Sequence, residues 1–235
     1  MPMPKTVNNN DISDSEEFKV TKTLESNRDL EGVWYKVAGI SEVYDMFDCQ
    51  SNTLKVTDVE ELKNAELGIT FRTKGSKGGY YKTDLMENVE FTGKGKLRTT
   101  GSMYGLTFNE RWTIVAGGDL EGGRGKFWVV RYVGKTLQGE YEGGFVYSSL
   151  DKLTEGDRGR VREAWMGSTG VDDYAVKFKD IDNTCSTNVG GKGELRRDKG
   201  EEGVGGWGEV KDLIFGEGGI GDWIKPGWRG EYDDK

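Results

Sequence analysis

Apolar positions recur at every second residue over several stretches of the chain, the period of a half-buried strand. Within 67–73, Leu67, Ile69 and Phe71 alternate with Gly68, Thr70 and Arg72. Within 80–91, Tyr81, Thr83, Leu85, Glu87, Val89 and Phe91 share one face, opposite Lys82, Asp84, Met86, Asn88 and Glu90. Within 104–115, Phe108, Glu110, Trp112 and Ile114 oppose Asn109, Arg111 and Thr113. Within 127–133, Trp128, Val130 and Tyr132 fall together. The mainly apolar faces are the expected interior, so Glu87 and Glu110 are expected to be carboxylates pointing inward. Further strands are expected over 33–37, 53–59, 96–103 and 139–148, with glycine turns at 75–79 and 117–125. Roughly eight strands at such intervals predict an up-and-down antiparallel barrel. The stretch 151–166 reads as a helix charged on one side, with Leu150, Leu153, Val161 and Trp165 available for packing, and 174–178 as a last short strand.

The chain is organised around 30–50. Gly32 permits a tight turn two residues before Trp34, whose ring is suited to plug one end of a closed sheet. The stretch 41–47 is expected to be a helical turn or an Ω-loop closing one barrel end. Outside the barrel, 1–27 reads as a polar arm. From 187 to 235 glycine and charge dominate, and tryptophans are spaced by glycines. Trp207, Phe215, Trp223 and Trp228 are read as anchors for docking on a partner. The domain reading is therefore an arm (1–27), a barrel (28–186) and an extended tail (187–235), with both extensions flexible.

Composition narrows the chemistry. The formal net charge of −8 argues against a nucleic-acid binder, which needs a basic footprint. There is no histidine, so imidazole-based triads, histidine-ligated zinc and histidine pH sensing are excluded. Proton chemistry must come from carboxylates, tyrosine or lysine. No metal motif is present. Gly134-Lys135-Thr136 lacks the earlier glycine that a phosphate-binding loop requires. No apolar run is long enough to span a membrane, and the N-terminus has no signal core. The two cysteines, Cys49 and Cys185, are either one disulfide or two buried thiols. A bridge would close a long loop, with an upper estimate of about 4–5 kcal/mol from chain entropy.

Three motifs carry a family resemblance. Gly32-Val33-Trp34-Tyr35, the run Tyr44-Asp45-Met46-Phe47-Asp48-Cys49-Gln50, and Asp182-Asn183-Thr184-Cys185 resemble the lipocalin domain of violaxanthin de-epoxidases. Asn109-Glu110-Arg111-Trp112, Arg131-Tyr132-Val133-Gly134 and the stretch 141–147 fit between them in order. The resemblance covers about 28–186 and implies a mainly β, eight-stranded antiparallel lipocalin-type barrel with one C-terminal helix. It implies a chloroplast protein of the thylakoid lumen or membrane surface that takes a xanthophyll, and a bridge between Cys49 and Cys185. The family's catalytic aspartate falls on Glu110, its catalytic tyrosine on Tyr132, and a substrate-side glutamine near Glu87. Tyr81, Trp112 and Trp128 join Glu87 as expected ligand-binding residues. The family's cysteine-rich segment before the barrel has no counterpart in 1–27. The expectation is a non-catalytic protein that holds a carotenoid or lipid, or docks through its tail on a photosystem or antenna complex. The alternative is an active de-epoxidase with ascorbate as co-substrate, Glu110 as acid and Tyr132 as hydrogen-bond donor.

Overall fold

The computed structural model describes residues 20–183, apart from 42–44, 59, 75–79, 104–105 and 138. For 73, 74, 80, 81, 103 and 106 it describes the backbone only. Eight strands run in order: β1 Gly32–Gly39, β2 Asp48–Val56, β3 Asn64–Lys74, β4 Tyr80–Gly93, β5 Lys96–Met103, β6 Leu106–Asp119, β7 Lys126–Thr136 and β8 Gly139–Ser148. Each neighbours the next, β8 returns to β1, and β1 also pairs with β2, which closes the barrel. Helix α1 (Glu155–Thr169) follows, then the single turn α2 (Tyr174–Lys177) and the two-residue β9 (Lys179–Asp180). The described residues fall into two units, the barrel with its helix and the part of 72–82 at the end of β3 and β4. The first unit is described below.

Two sequence expectations change here. The last strand is not 174–178, which forms a helical turn. Tyr174 stacks on Phe178 at 4.6 Å, and both pack with Trp165 of α1. Only Lys179–Asp180 pair with β1, at Ala38 and Gly39. The turn expected at 117–125 also starts late, because β6 runs on to Asp119. Gly117 lies in that strand opposite Trp128, where a Cβ would collide with the indole. The glycine there admits a ring across the ladder rather than a turn.

Two apolar clusters result from the alternation. Inside the barrel lie Trp34, Leu54, Leu67, Phe71, Val89, Phe91, Leu97, Trp112, Ile114, Trp128, Val130, Tyr132 and Phe145. Outside, Val37, Val115, Phe127, Val129 and Val146 pack under Val161 and Trp165 of α1. Irregularities in register near Val37 and Val115 let β1 and β6 present neighbouring residues to the two layers. Helix α1 starts at a capping box between Thr154 and Asp157 and ends at Gly170, whose φ is 75°. Asp157 is fully buried. Burial alone would raise its pKa, but hydrogen bonds from Thr154, the Glu121 N–H and Arg124 outweigh that and bring it to about 2.

One barrel end is filled. The Trp34 indole Nε1 donates to the Leu30 carbonyl at 2.8 Å and meets Trp128 edge-on at 6.3 Å. Leu24 is fully buried in the same core, and the Thr21 N–H donates to the Ile114 carbonyl at 2.8 Å. Residues 21–27, read from composition as part of a polar arm, thus lie against the barrel through Thr21 and Leu24.

Candidate functional site

The barrel interior changes character two residues further along its strands. On β1, Lys36 follows Trp34 on the inward face. On β6, Glu110 precedes Trp112. On β7, Tyr132 follows Trp128 and Val130. These polar groups border a cavity of about 100 Å³. Its apolar wall comes from Phe47, Ile69, Phe71, Leu85, Phe108 and Phe145, and its polar wall from Lys36, Asp45, Gln50, Asn52, Glu87, Glu110, Tyr132 and Tyr141.

The carboxyls occupy different surroundings. Glu110 accepts from the Trp112 indole at 2.6 Å through Oε2 and from the Tyr141 hydroxyl at 2.6 Å through Oε1. Burial raises its pKa, and these two donors work against that rise. Glu87 is 4% exposed, and its Oε2 has no hydrogen-bond partner among the described residues. Burial first, and the nearby Glu110 second, push Glu87 up to about 8, while Thr99 and Lys36 act the other way. Glu87 therefore holds its proton at neutral pH, while both Glu110 oxygens are met by protein donors, so the environment separates the two carboxyls.

Opposite them lies a buried ion pair. Lys36 Nζ is 3.4 Å from Asp45 Oδ1, and the ammonium sits 4.2 Å from the centre of the Phe145 ring. Asp45 is 1% exposed. Its Oδ1 also accepts from the Tyr132 hydroxyl at 3.1 Å, and its Oδ2 from the Ser41 N–H at 2.9 Å. Burial, with the charges of Asp45 and Glu110, pushes the Tyr132 phenol well above its ordinary range. Tyr147 is raised likewise, chiefly by burial, and its hydroxyl accepts from Asn52 Nδ2. Cross-strand register gives the tyrosines room. Tyr132 faces Gly143 and Tyr141 faces Gly134 between β7 and β8, and a Cβ at either glycine would overlap the phenol ring.

The structure gathers Glu87, Glu110, Trp112 and Tyr132 from the expected set around one cavity. Trp128 also points inward but lies in the packed end against Trp34, not on the cavity wall. The Tyr81 side chain lies outside the described residues, as do Cys185, Trp207, Phe215, Trp223 and Trp228. Sequence reasoning missed Lys36, Asp45, Gln50, Asn52 and Tyr141. Lys36 was legible in the alternation, two residues after Trp34. Asp45 carried no periodic signal, since its loop is placed by the Ser41–Asp45 hydrogen bonds.

Cys49 is not a free thiol. Its N–H donates to the Asp182 carbonyl at 3.0 Å, and the Gln50 N–H donates to Asn183 Oδ1 at 3.0 Å. Asn183 Nδ2 in turn donates to the Lys36 carbonyl at 2.8 Å. Burial, then the nearby Asp182, raise the pKa of Asp48 beside it. Among the described residues no cluster of acidic or cysteine ligands could hold a metal ion. No described helix is long and apolar enough to cross a membrane.

An eight-stranded barrel with a flanking helix, filled at one end and hollow and partly polar at the other, is a barrel of the lipocalin type. The chain belongs to the violaxanthin de-epoxidase lipocalin-domain family, whose model matches residues 3–183. Among solved structures it is similar to lobster apocrustacyanin A1, at 15% identity over 68% of this chain and 81% of that one, with a TM-score of 0.47. Apocrustacyanin C1 matches at 16% identity over 66% and 78%, with a TM-score of 0.46. The siderocalin Ex-FABP matches at 11% identity over 66% and 91%, with a TM-score of 0.40. No curated protein sequence matches the chain.

Proposed function

We propose that this protein holds one ring-bearing end of a carotenoid, or a related lipid, in the hollow end of its barrel without transforming it. The observation that carries this reading is the cavity itself, with an aromatic wall facing a hydrogen-bonded polar wall. Its volume sets the scale. A dry engineered cavity of roughly 150 Å³ accepts benzene, so about 100 Å³ is of the order of one small ring and far below a whole pigment. Family membership supports a xanthophyll as ligand and a chloroplast, thylakoid-associated location. The tryptophans at 207, 223 and 228, with Phe215, support docking on a thylakoid pigment complex.

A Cys49–Cys185 bridge belongs to this reading. It is supported by the blocked thiol of Cys49 and by the bonds that bring residues 182 and 183 to the start of β2. Such a bridge would imply an oxidising compartment.

The second reading is an active xanthophyll de-epoxidase using ascorbate, with Glu110 as acid and Tyr132 as hydrogen-bond donor. The raised pKa of Glu110 favours it. Against it, both Glu110 oxygens already accept hydrogen bonds, and the Tyr132 hydroxyl is engaged by Asp45. Purified protein mixed with violaxanthin should retain the pigment unchanged when ascorbate is added at acid pH. Conversion that disappears in Glu110→Gln establishes the enzyme instead. Failure to retain any pigment overturns the binding reading.

A further inference from the structure

The polar groups around the cavity are unequally engaged. Glu110 accepts through both oxygens, and Asp45 accepts from Ser41, Tyr132 and Lys36. The oxygens of these two carboxyls are therefore met by protein donors. The ammonium beside Asp45 is less fully engaged. An ammonium has three N–H groups, and Lys36 commits one, at 3.4 Å, to Asp45. It also lies over the face of Phe145, which accepts no conventional hydrogen bond, and acts on Glu87 and Glu110 through its charge. Lys36 is 6% exposed and borders the cavity, so its remaining N–H groups lack bulk water. Buried donors left in that condition are costly, and more so when charged. On the same wall, Glu87 Oε2 has no hydrogen-bond partner among the described residues.

We propose that Lys36 reads the buried end of the ligand: its ammonium donates to a carbonyl oxygen on the ring, favouring a keto-bearing ring over a hydrocarbon one. A carbonyl brings two acceptor lone pairs and no proton of its own. That suits a wall with uncommitted donors at Lys36 and, with its proton on, at Glu87. A hydroxyl can accept from the same ammonium and give its hydrogen to Gln50 Oε1, an acceptor on this wall without a partner among the described residues. A hydrocarbon ring leaves the ammonium unanswered. Lys36 is thus a specificity-determining residue, and the proposal rests on the ring-binding reading above.

Three ring-sized probes test it: a trimethylcyclohexenone, the matching cyclohexenol and the matching trimethylcyclohexene, titrated calorimetrically into the full chain. Ketone and alcohol are both expected to bind above the hydrocarbon, with the ketone about tenfold or more tighter than the hydrocarbon, the effect of one charge-assisted hydrogen bond. The infrared carbonyl stretch of the bound ketone should fall relative to its value in hydrocarbon solvent. Lys36→Met should abolish both the preference and the shift. Should that variant not fold, the double change Lys36→Met with Asp45→Asn removes the whole ion pair and should give the same loss. Equal affinity for all three probes, or an unshifted stretch, overturns the role of Lys36 and leaves ring binding standing. A preference that survives the folded variant does the same. Binding of none of them overturns both.

Discussion

The two ends of the barrel interior are built from the same strands and do opposite things. Around Trp34 and Trp128 the interior is filled by interlocking apolar groups, with Leu24 and Leu30 buried among them. Around Lys36, Glu110 and Tyr132 it keeps a cavity and a polar network. On β1 and β6 one inward step of two residues separates the regimes, from Trp34 to Lys36 and from Trp112 to Glu110; on β7, Tyr132 lies two such steps beyond Trp128. The filled end is held by burial, which is non-directional and worth a few kcal/mol per large side chain. The hollow end is held by hydrogen bonds whose value depends on each having a partner. One end therefore contributes mainly stability, and the other gives some of it up to keep a hollow, polar interior.

That contrast can be broken or sharpened in order of effect. Trp128→Ala should cost about 3–5 kcal/mol of unfolding free energy, the usual range for an emptied aromatic site. Denaturant titration would show it, while any bound pigment keeps its absorption maximum because the cavity is not touched. A loss of pigment selectivity there would mean the ends are not independent. Cys49→Ser should cost about 2–4 kcal/mol and lower pigment retention, since β2 and residues 182–183 would lose their proposed clamp beside the cavity. Full stability without it would remove the bridge from the account.

Smaller effects follow at the polar wall. Tyr141→Phe strips one donor from Glu110 and should cost about 1–3 kcal/mol at neutral pH, with the Glu110 pKa rising further. Unchanged stability would mean that the carboxyl is already neutral. The last test is a pH slope. Glu87 in the folded chain titrates near 8 against an ordinary value of 4.5, so the folded state binds more protons than the unfolded state between those values. Stability should therefore be fully present below about 4.5 and fall as pH rises through 8, by up to about 1.4 kcal/mol per pH unit from this group. Glu87→Gln should flatten that slope in denaturant midpoints taken at pH 5, 7 and 9. An identical slope in the variant would place the titration elsewhere.

Most of the barrel could be read directly. Period-two alternation placed Leu67, Ile69, Phe71, Val89, Trp112 and Tyr132 inside, and it placed Glu87 and Glu110 there as well, because a strand's register carries every second residue along whatever its polarity. Reading failed where no period exists. The Gly-rich run at 117–118 was taken for a turn because a glycine that admits a ring looks the same as one that bends the chain. Asp45 was missed because a loop residue reaches the interior only through contacts with Ser41, Lys36 and Tyr132.

The sequence by itself determined which face of each strand is inside, and hence that acids, a phenol and tryptophans share one interior, since alternation is a local property of the backbone. Only the tertiary structure decided which of those groups meet. Trp128 was sent to the filled end, Lys36 was set against Asp45, Glu87 was left with an oxygen unanswered among the described residues, and Glu110 was given two donors. Those outcomes depend on the stagger between strands, which is fixed by closure of the barrel rather than by any one segment.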